Sequence, residues 1–241
     1  MKKLLKLLFM GTIVLSLSAT ALAKEKIYVG TNAEFPPFEY LEDGTITGFD
    51  MDLVQEIGKL VDADIKIVDM AFDGLLPALQ MKKVDLVIAG MTANEERMKT
   101  VSFTQPYYTA SQVIILKEGN TSIKSFDDLK GRRVGVMLGF TGDMVVSEID
   151  GVKIERFNAA YAGIMALKAD KIEAVVLDSE PAKNYVAQNK GLVLADADAE
   201  QEEYAIAVRK NDKALLEKVE KALSELKENG TYDKLIQKYF N

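Results

Sequence analysis

The segment DLVIAGMTANEER, residues 85–97, passes from an apolar run into the opening of a helix. Asp85 to Ala89 predicts a buried strand, and Asn94-Glu95-Glu96-Arg97 predicts the first turn of a helix. A strand that leads directly into a helix is the repeating step of α/β folds, whose ligands bind at the carboxyl ends of the strands. The segment therefore predicts both the fold class and one side of a binding crevice.

The same alternation of short β-branched strands and amphipathic helices recurs along the chain. We predict a helix opened by Asp50 as N-cap, a second capped by Asp73, and a third over residues 125–130. Two continuous apolar strands, Gln112 to Leu116 and Tyr204 to Val208, could join two lobes. The pattern indicates α/β architecture with largely parallel sheets.

The first twenty-three residues predict a cleavable secretory signal peptide. Three lysines precede an uncharged apolar run from Leu7 to Ala19, and Ala21-Leu22-Ala23 supplies a small-x-small cleavage signal. Because a bilayer-spanning helix needs about 20 apolar residues, a retained membrane anchor is the weaker alternative.

Composition excludes several classes of function. The 241 residues include no cysteine and no histidine, and the net charge is -7. Disulfides, thiolate or histidine metal sites, lipidated cysteine and histidine-activated nucleophiles are therefore absent, and an acidic chain is a poor ligand for nucleic acid. No phosphate-cradling glycine motif occurs. We expect no catalytic residue, metal or cofactor, and a periplasmic home, since an unanchored exported protein would diffuse away from a cell with one membrane.

Three strand ends carry candidate chemistry. Gly90-Met91-Thr92 with Arg97 offers N–H groups, a hydroxyl and a guanidinium to a small carboxylate, although Thr92 could instead cap a helix and Arg97 lie on the surface. The turn from Met137 to Gly142 again presents N–H groups. Asp178 ends an apolar strand and could pair with an ammonium; alternatively, Asp178 or Ser179 could cap the next helix.

Several motifs, in order, resemble the periplasmic amino-acid-binding proteins of ABC importers, in the polar amino acid branch of the bacterial solute-binding proteins. They are especially similar to arginine-binding members. The motifs, which span nearly all of the mature chain, are GTNAEFPPFEY, GFDMDL, FDGLLPALQ, DLVIAGMTANEER, VSFTQPYY, DLKGRRVGV, AVVLDSEPA and LKENGTYDKLIQKYF.

The resemblance implies a two-lobed, type II periplasmic-binding-protein-like fold that closes on its ligand. Each lobe would be a mostly parallel sheet flanked by helices, and two hinge strands would join the lobes. Residues 24–111 and 205–241 would form lobe 1, and residues 112–204 lobe 2.

The resemblance also implies a ligand clamp. Arg97, Thr92 and Gly90 would bind the α-carboxylate from one lobe and Thr141 from the other, while Asp178 binds the α-ammonium. Phe35 and Phe72 would stack on the side chain. The predicted ligand-binding residues are Asn32, Glu34, Phe35, Glu39, Phe72, Gly90, Met91, Thr92, Arg97, Met137, Phe140, Thr141 and Asp178.

Three departures from the family pattern affect specificity. Basic-amino-acid binders often have Asp at the position of Asn32. Close arginine binders have a polar residue, often Gln, at the position of Met137, and Thr or Ser at that of Phe140. Glu34 and Glu39 remain as acids for a cationic side chain. We expect a polar or cationic amino acid, with arginine or lysine first and glutamine next; the alternative is an apolar amino acid.

The sequence predicts capture of a free L-amino acid and delivery to an inner-membrane ABC permease by a monomer. One alternative is a cyclohexadienyl-dehydratase-like enzyme on the same fold, which would need a catalytic acid and no intact amino-acid clamp. The other is a sensor ectodomain, which would require a transmembrane helix and a cytoplasmic module after Phe240. We expect neither.

Overall fold

The computed structural model describes residues 24–197 and 201–241. The predicted signal peptide, residues 1–23, lies outside the described residues. The strands, in chain order, are β1 (Glu25–Thr31), β2 (Glu34–Phe35), β3 (Glu39–Glu42), β4 (Thr45–Thr47), β5 (Ala63–Asp69), β6 (Leu86–Val87), β7 (Val101–Phe103), β8 (Tyr108–Lys117), β9 (Arg133–Met137), β10 (Lys153–Phe157), β11 (Ala174–Asp178), β12 (Leu192–Leu194), β13 (Gln201–Tyr204) and β14 (Ala207–Arg209).

Eight α-helices and two short 3₁₀ turns connect these strands in the described part of the chain. The helices are α1 (Phe49–Leu60), α2 (Leu75–Gln80), α3 (Glu95–Met98), α4 (Thr141–Ser147), α5 (Ala160–Lys168), α6 (Ser179–Gln188), α7 (Lys213–Glu228) and α8 (Thr231–Phe240), and the 3₁₀ turns are Phe72–Gly74 and Asp127–Leu129. No described helix has the length and apolar character needed to span a bilayer.

The strands form two large sheets, one in each lobe, as predicted for a two-lobed α/β protein. The first has the order β5-β1-β6-β14-β7, and the second has the order β10-β9-β11-β8-β12, with β13 also paired to β8. A small antiparallel sheet, β2-β3-β4, lies outside both. The first sheet takes its strands from both ends of the chain.

Both large sheets are mixed, but most strands of each run in one direction, as predicted, and only β14 in the first sheet and β8 in the second run the opposite way. β5, β1 and β6 are parallel in the first sheet, and β10, β9 and β11 are parallel in the second. β14 and β8 run antiparallel to the neighbours that flank them within these sheets. These two strands carry the chain between the sheets, which reverses their direction relative to the parallel strands.

The chain crosses between the lobes differently in its two passages. β8 runs unbroken through residues 108–117, as expected for the first connector. The second connector is not one continuous strand, because Ala205 and Ile206 separate β13 from β14. There the Ala205 N–H donates to the Met91 carbonyl (3.0 Å) and the Ile206 N–H to Thr104 Oγ1 (3.1 Å), so the backbone leaves β8 and joins the first sheet. The exact lobe limits at 111/112 and 204/205 stay a prediction.

Three helix starts differ from the sequence prediction. α1 begins at Phe49 after Gly48, and Asp50 is buried within its first turn rather than capping it. Asp73 lies in a 3₁₀ turn and makes no side-chain cap bond. Only the 3₁₀ turn Asp127–Leu129 forms within residues 125–130. Asp50 accepts a hydrogen bond from Gly90 instead of capping its helix, and the other two segments form tighter 3₁₀ turns instead of α-helical turns.

Candidate ligand-binding site

The carboxyl ends of β6 and β9 meet where the two lobes face each other. Arg97 Nη2 donates to the Gly139 carbonyl at 3.0 Å, and Thr141 Oγ1 donates to Thr92 Oγ1 at 3.0 Å. Thr92 and Arg97 follow β6, whereas Gly139 and Thr141 follow β9. The structure therefore brings together two strand ends that the sequence predicts to bind an anion.

Arg97 is a buried cation held by main-chain carbonyls. Its side chain is 5% exposed, and Nη1 donates to the Thr92 carbonyl at 2.8 Å. Asn94 Oδ1 accepts the Arg97 N–H at 2.9 Å and so caps α3, which corrects the alternative that Thr92 is the cap and Arg97 a surface residue. Burial lowers the pKa of the guanidinium, while the carboxylates of Asp178 and Glu202 act in the opposite direction.

Asp178 is a buried acid at the end of β11, 2% exposed. Its Oδ1 accepts from Gln112 Nε2 at 2.8 Å, and its Oδ2 accepts from the Tyr204 hydroxyl. Asp178 is the N-cap residue of α6 but makes no side-chain cap bond, because its carboxylate oxygens accept from Gln112 and Tyr204 instead. Burial and then the neighbouring Glu202 raise the pKa of the Asp178 carboxyl well above its usual range.

Neither Arg97 nor Asp178 forms an ion pair within the described residues. A buried charge is costly unless an opposite charge and hydrogen bonds compensate it. A small zwitterion that places its carboxylate at Arg97 and its ammonium at Asp178 would supply both missing charges.

Three polar residues on the connecting strands support this pair, and sequence reasoning missed all three. Gln112 Nε2 donates to Asp178 and also to Glu202 Oε1 at 2.5 Å, while Glu202 Oε2 accepts from Thr92 Oγ1 at 2.8 Å. Tyr204 completes the set through its bond to Asp178. A glutamine inside the apolar run of β8 was a usable signal. No local pattern distinguishes Glu202 from the adjacent acid Glu203.

Three phenylalanine rings from the two lobes form one cluster. Phe72 and Phe140 have ring centroids 4.0 Å apart, and Phe35 meets Phe140 edge-on at 5.3 Å. The Arg97 guanidinium carbon lies 5.3 Å from the centre of the Phe72 ring. All three rings are at least 94% buried. Phe140 thus lies against both rings that the sequence predicts to stack on a ligand side chain.

Other predicted residues occupy varied positions around this cluster. Gly90 has φ +51°, and a side chain there would collide with Phe35 because an added Cβ would lie 2.6 Å from Phe35 Cε1. The Gly90 N–H already donates to Asp50 Oδ2 at 2.9 Å. Met91 is buried and lines a cavity beside Arg97. Met137 points toward α5, where an added Cβ on Gly163 would lie 3.1 Å from its methyl group.

Asn32 lies between β1 and β2, and Glu34 is the first residue of β2 in the small sheet. Asn32 is buried, and its Nδ2 donates to the Met70 carbonyl at 3.1 Å. Glu34 is exposed, and its backbone carbonyl accepts a hydrogen bond from the Tyr185 hydroxyl at 3.2 Å. Partial burial and then the charge of Asp69 raise the pKa of Glu34. In the described part of the chain, neither side chain hydrogen-bonds to Arg97 or Asp178.

Glu39 is fully buried beside Asp50, and these two acids form a carboxyl pair. Burial and then Asp50 raise the pKa of Glu39 well above its usual range, and burial raises the pKa of Asp50 to about 6. Asp50 Oδ2 accepts from the Gly90 N–H and from the Tyr107 hydroxyl at 2.8 Å, whereas Glu39 has no such donors. Burial without a donor therefore favours the protonated, neutral form of Glu39, whereas the Asp50 carboxylate is stabilised by its two donors.

The described residues contain no group of three or more acidic side chains with metal-binding geometry. The chemistry at the crevice is that of buried charges, hydroxyls and aromatic faces. This arrangement suits a small organic zwitterion, and the two lobes that supply it define the class of two-lobed solute-binding proteins.

The chain belongs to the bacterial extracellular solute-binding proteins, family 3, whose profile matches residues 27–241. The arginine-binding extracellular protein ArtP of Bacillus subtilis (strain 168) is 38% identical, and the match covers 100% of this chain and 98% of that protein.

Solved structures agree with this assignment. An ancestral arginine-binding protein bound to arginine is 45% identical with a TM-score of 0.88, over 90% of this chain and 99% of that one. An ancestral arginine-binding protein bound to glutamine is also 45% identical, with a TM-score of 0.87 over 90% of this chain and 99% of that one. An ancestral amino-acid-binding protein, described as a precursor of cyclohexadienyl dehydratase, is 37% identical with a TM-score of 0.84, over 90% and 96% of the two chains.

Because the pKa of Glu39 is raised in the folded protein, we expect the free energy of unfolding to depend on pH. The unfolded chain releases the Glu39 proton above the ordinary pKa of glutamate, about 4.3, so the free energy of unfolding falls as pH rises from there through the raised pKa. Glu39→Gln keeps a donor to Asp50 and has no proton to lose. We expect the free energy of unfolding of the variant, relative to that of the wild type, to rise by up to about 1.4 kcal/mol per pH unit in this range. Thermal unfolding at pH 5 and pH 8 measures this difference.

Glu42→Gln, on the exposed end of the same strand, is the matched control and should follow the wild type. Identical pH dependence in Glu39→Gln and the wild type would contradict the assignment of the proton.

Proposed function

We propose that this protein captures a free L-α-amino acid between its lobes and delivers it to an ABC permease in the membrane. The observation that carries the proposal is the convergence of Arg97 and Asp178, a buried guanidinium and a buried carboxyl group from different lobes that lie close enough for Asp178 to act on the pKa of Arg97. Family membership supports the same function, since the relatives named above are amino-acid-binding proteins.

The ligand backbone would be held by charge and hydroxyl groups from both lobes. The α-carboxylate accepts from the Arg97 guanidinium and from the Thr92 and Thr141 hydroxyls, which now bond to each other. The α-ammonium donates to Asp178, whose orientation is fixed by Gln112 and Tyr204. Closure of the lobes removes water, and the lower local dielectric strengthens each of these contacts.

The aromatic cluster would hold the ligand side chain. A flat cation between the faces of Phe35 and Phe72 gains about 0.5–2 kcal/mol from stacking. Phe140 now packs on Phe72, so an entering side chain has to displace the Phe140 ring or share its space. Arginine is the ligand we favour, followed by lysine and glutamine. The arginine- and glutamine-bound relatives support this order.

An acid is needed to balance a cationic side chain, and Glu39 is the better placed candidate. It pairs in register with Phe35 across the small sheet, whereas Glu34 is exposed. Asn32 cannot supply a charge, and Met137 points into lobe 2 rather than toward the rings. If the side chain were apolar instead, Phe140 would be its main contact.

A dehydratase function is less well supported. Such an enzyme would need an acid placed on its substrate in a cleft without an amino-acid clamp, yet both Arg97 and Asp178 are present and buried. The likeness to a dehydratase precursor fits a binding protein equally, because that precursor is itself described as amino-acid-binding. We propose that the protein has no enzymatic activity.

The remaining assignments follow from the proposed role. The protein would act as a monomer in the periplasm, where it meets the permease, and would bind no nucleic acid. Its net charge of -7 fits a soluble carrier that does not adhere to polyanions.

Arg97→Ala tests the carboxylate clamp. Removing one partner of a buried, hydrogen-bonded charge pair costs roughly 2–5 kcal/mol, so binding of the preferred amino acid should weaken at least about thirtyfold by calorimetry. Lys99→Ala, an exposed residue just after the same helix, is the matched control. Binding to Arg97→Ala within threefold of wild type would mean that Arg97 does not hold the ligand.

Competition among standard amino acids tests the side-chain assignment. We expect L-arginine to displace a labelled amino acid most effectively, with lysine and glutamine next, because the aromatic faces and Glu39 favour a flat cation. Equilibrium dialysis at one pH measures the order directly. A clear preference for leucine, methionine or phenylalanine would refute the polar assignment and make Phe140 part of an apolar pocket.

A further inference from the structure

The buried carboxyl pair has more acceptor atoms than the protein supplies donors. Both oxygens of Glu39 and Oδ1 of Asp50 are buried and have no hydrogen-bond partner among the described residues. The Glu39 side chain lies in the small sheet directly opposite Phe35, whose ring forms one wall of the proposed side-chain pocket. An unsatisfied acid therefore borders the place where a ligand side chain would sit.

Every ionisable group that acts on Glu39 is acidic. Asp50 faces it from α1, Asp178 from the end of β11, Asp69 from the end of β5, and Tyr107 from the segment before β8. No cation of the described chain counterbalances them there. Burial and Asp50 raise the pKa of the Glu39 carboxyl well above its usual range, which agrees with a neutral acid. The pocket is thus neutral at Glu39 but able to become negative.

We propose that Glu39 keeps its proton when the bound amino acid has a neutral side chain and releases it to solvent when a cationic side chain enters. The O–H bond of the acid breaks, the proton passes to the buffer, and the resulting carboxylate pairs with the guanidinium or ammonium of the ligand. Rising pH then shifts selectivity from neutral toward cationic amino acids. This inference rests on the proposed function and specifies how the same site is regulated.

The chemistry of the pair explains both binding modes. A protonated Glu39 offers its second oxygen as an acceptor to the amide N–H₂ of glutamine without any change of charge. A cation beside the same neutral acid would be buried unpaired, which is costly, so deprotonation becomes favourable once the cation is present. Asp50 stays fixed by the Gly90 N–H and the Tyr107 hydroxyl in both modes.

The test counts protons released on binding. Titrations of the wild-type protein with L-arginine and with L-glutamine, in phosphate and in Tris at pH 7, give the number of protons exchanged for each ligand. Any release from Asp178 is common to both ligands, because both carry the same α-ammonium. We expect arginine to release about one proton more than glutamine, and the ratio of their affinities to rise by up to about tenfold per pH unit.

Two variants locate the proton. Glu39→Gln should bring the proton count for arginine down to that for glutamine and should weaken arginine binding. Glu42→Gln, on the same strand and exposed, should retain the full difference. The comparison of the two ligands on the wild type stands even if a variant fails to fold.

Equal proton release for the two ligands would overturn the inference and leave the proposed function intact. A difference that persists in Glu39→Gln, or arginine that does not bind at pH 9 while glutamine does, would also overturn it. Failure of both amino acids to bind would overturn the proposed function and this inference together.

Discussion

The Asp50 carboxylate is the fixed point on which the crevice depends. It is fully buried in the first turn of α1, and it accepts from the Gly90 N–H at the end of β6 and from the Tyr107 hydroxyl just before β8. A buried carboxylate is tolerated only when such partners compensate it, so the three segments have to keep their relative positions. One side chain thereby sets the strand end that carries Thr92 and Arg97, and the start of the first connector.

The connectors between the lobes also form part of the binding site. Gln112 on β8 and Glu202 and Tyr204 on β13 link Asp178 of the second sheet to Thr92 of the first. These bonds couple the two charged ends of the proposed clamp through the strands that would bend during closure. Binding and closure can therefore be one process, because a ligand that contacts Arg97 and Asp178 bears on the same strands.

Local sequence patterns predicted the strand ends well, because the residues that form each strand end lie within one short segment of the chain. The passage from Asp85 to Arg97 contains its strand, its glycine turn and its helix cap, although the cap proved to be Asn94 rather than Thr92. The two-lobed α/β fold was likewise predicted, since the order of the motifs fixes it. Which strand of each sheet runs antiparallel to the rest was not predicted, because strand direction depends on where the chain crosses between lobes.

The missed features are contacts between residues far apart in the chain. Asp50 has the residue type and position expected of a helix cap, but its hydrogen-bond donors lie 40 and 57 residues away in the chain. No local pattern reveals these partners. Glu202 contacts Gln112 and Thr92 across 90 and 110 residues. The close packing of Phe140 on Phe72 also joins different lobes, so a sequence that places both among the ligand-binding residues does not reveal that their rings touch.

The proposed clamp binds both charged groups of a free amino acid. Calorimetry can compare L-arginine with agmatine, which lacks the α-carboxylate, and with Nα-acetyl-L-arginine, which lacks the α-ammonium. We expect L-arginine to bind and each analogue to bind at least about thirtyfold more weakly, because each leaves Arg97 or Asp178 buried without its partner. Binding of either analogue within threefold of L-arginine would contradict the proposed clamp.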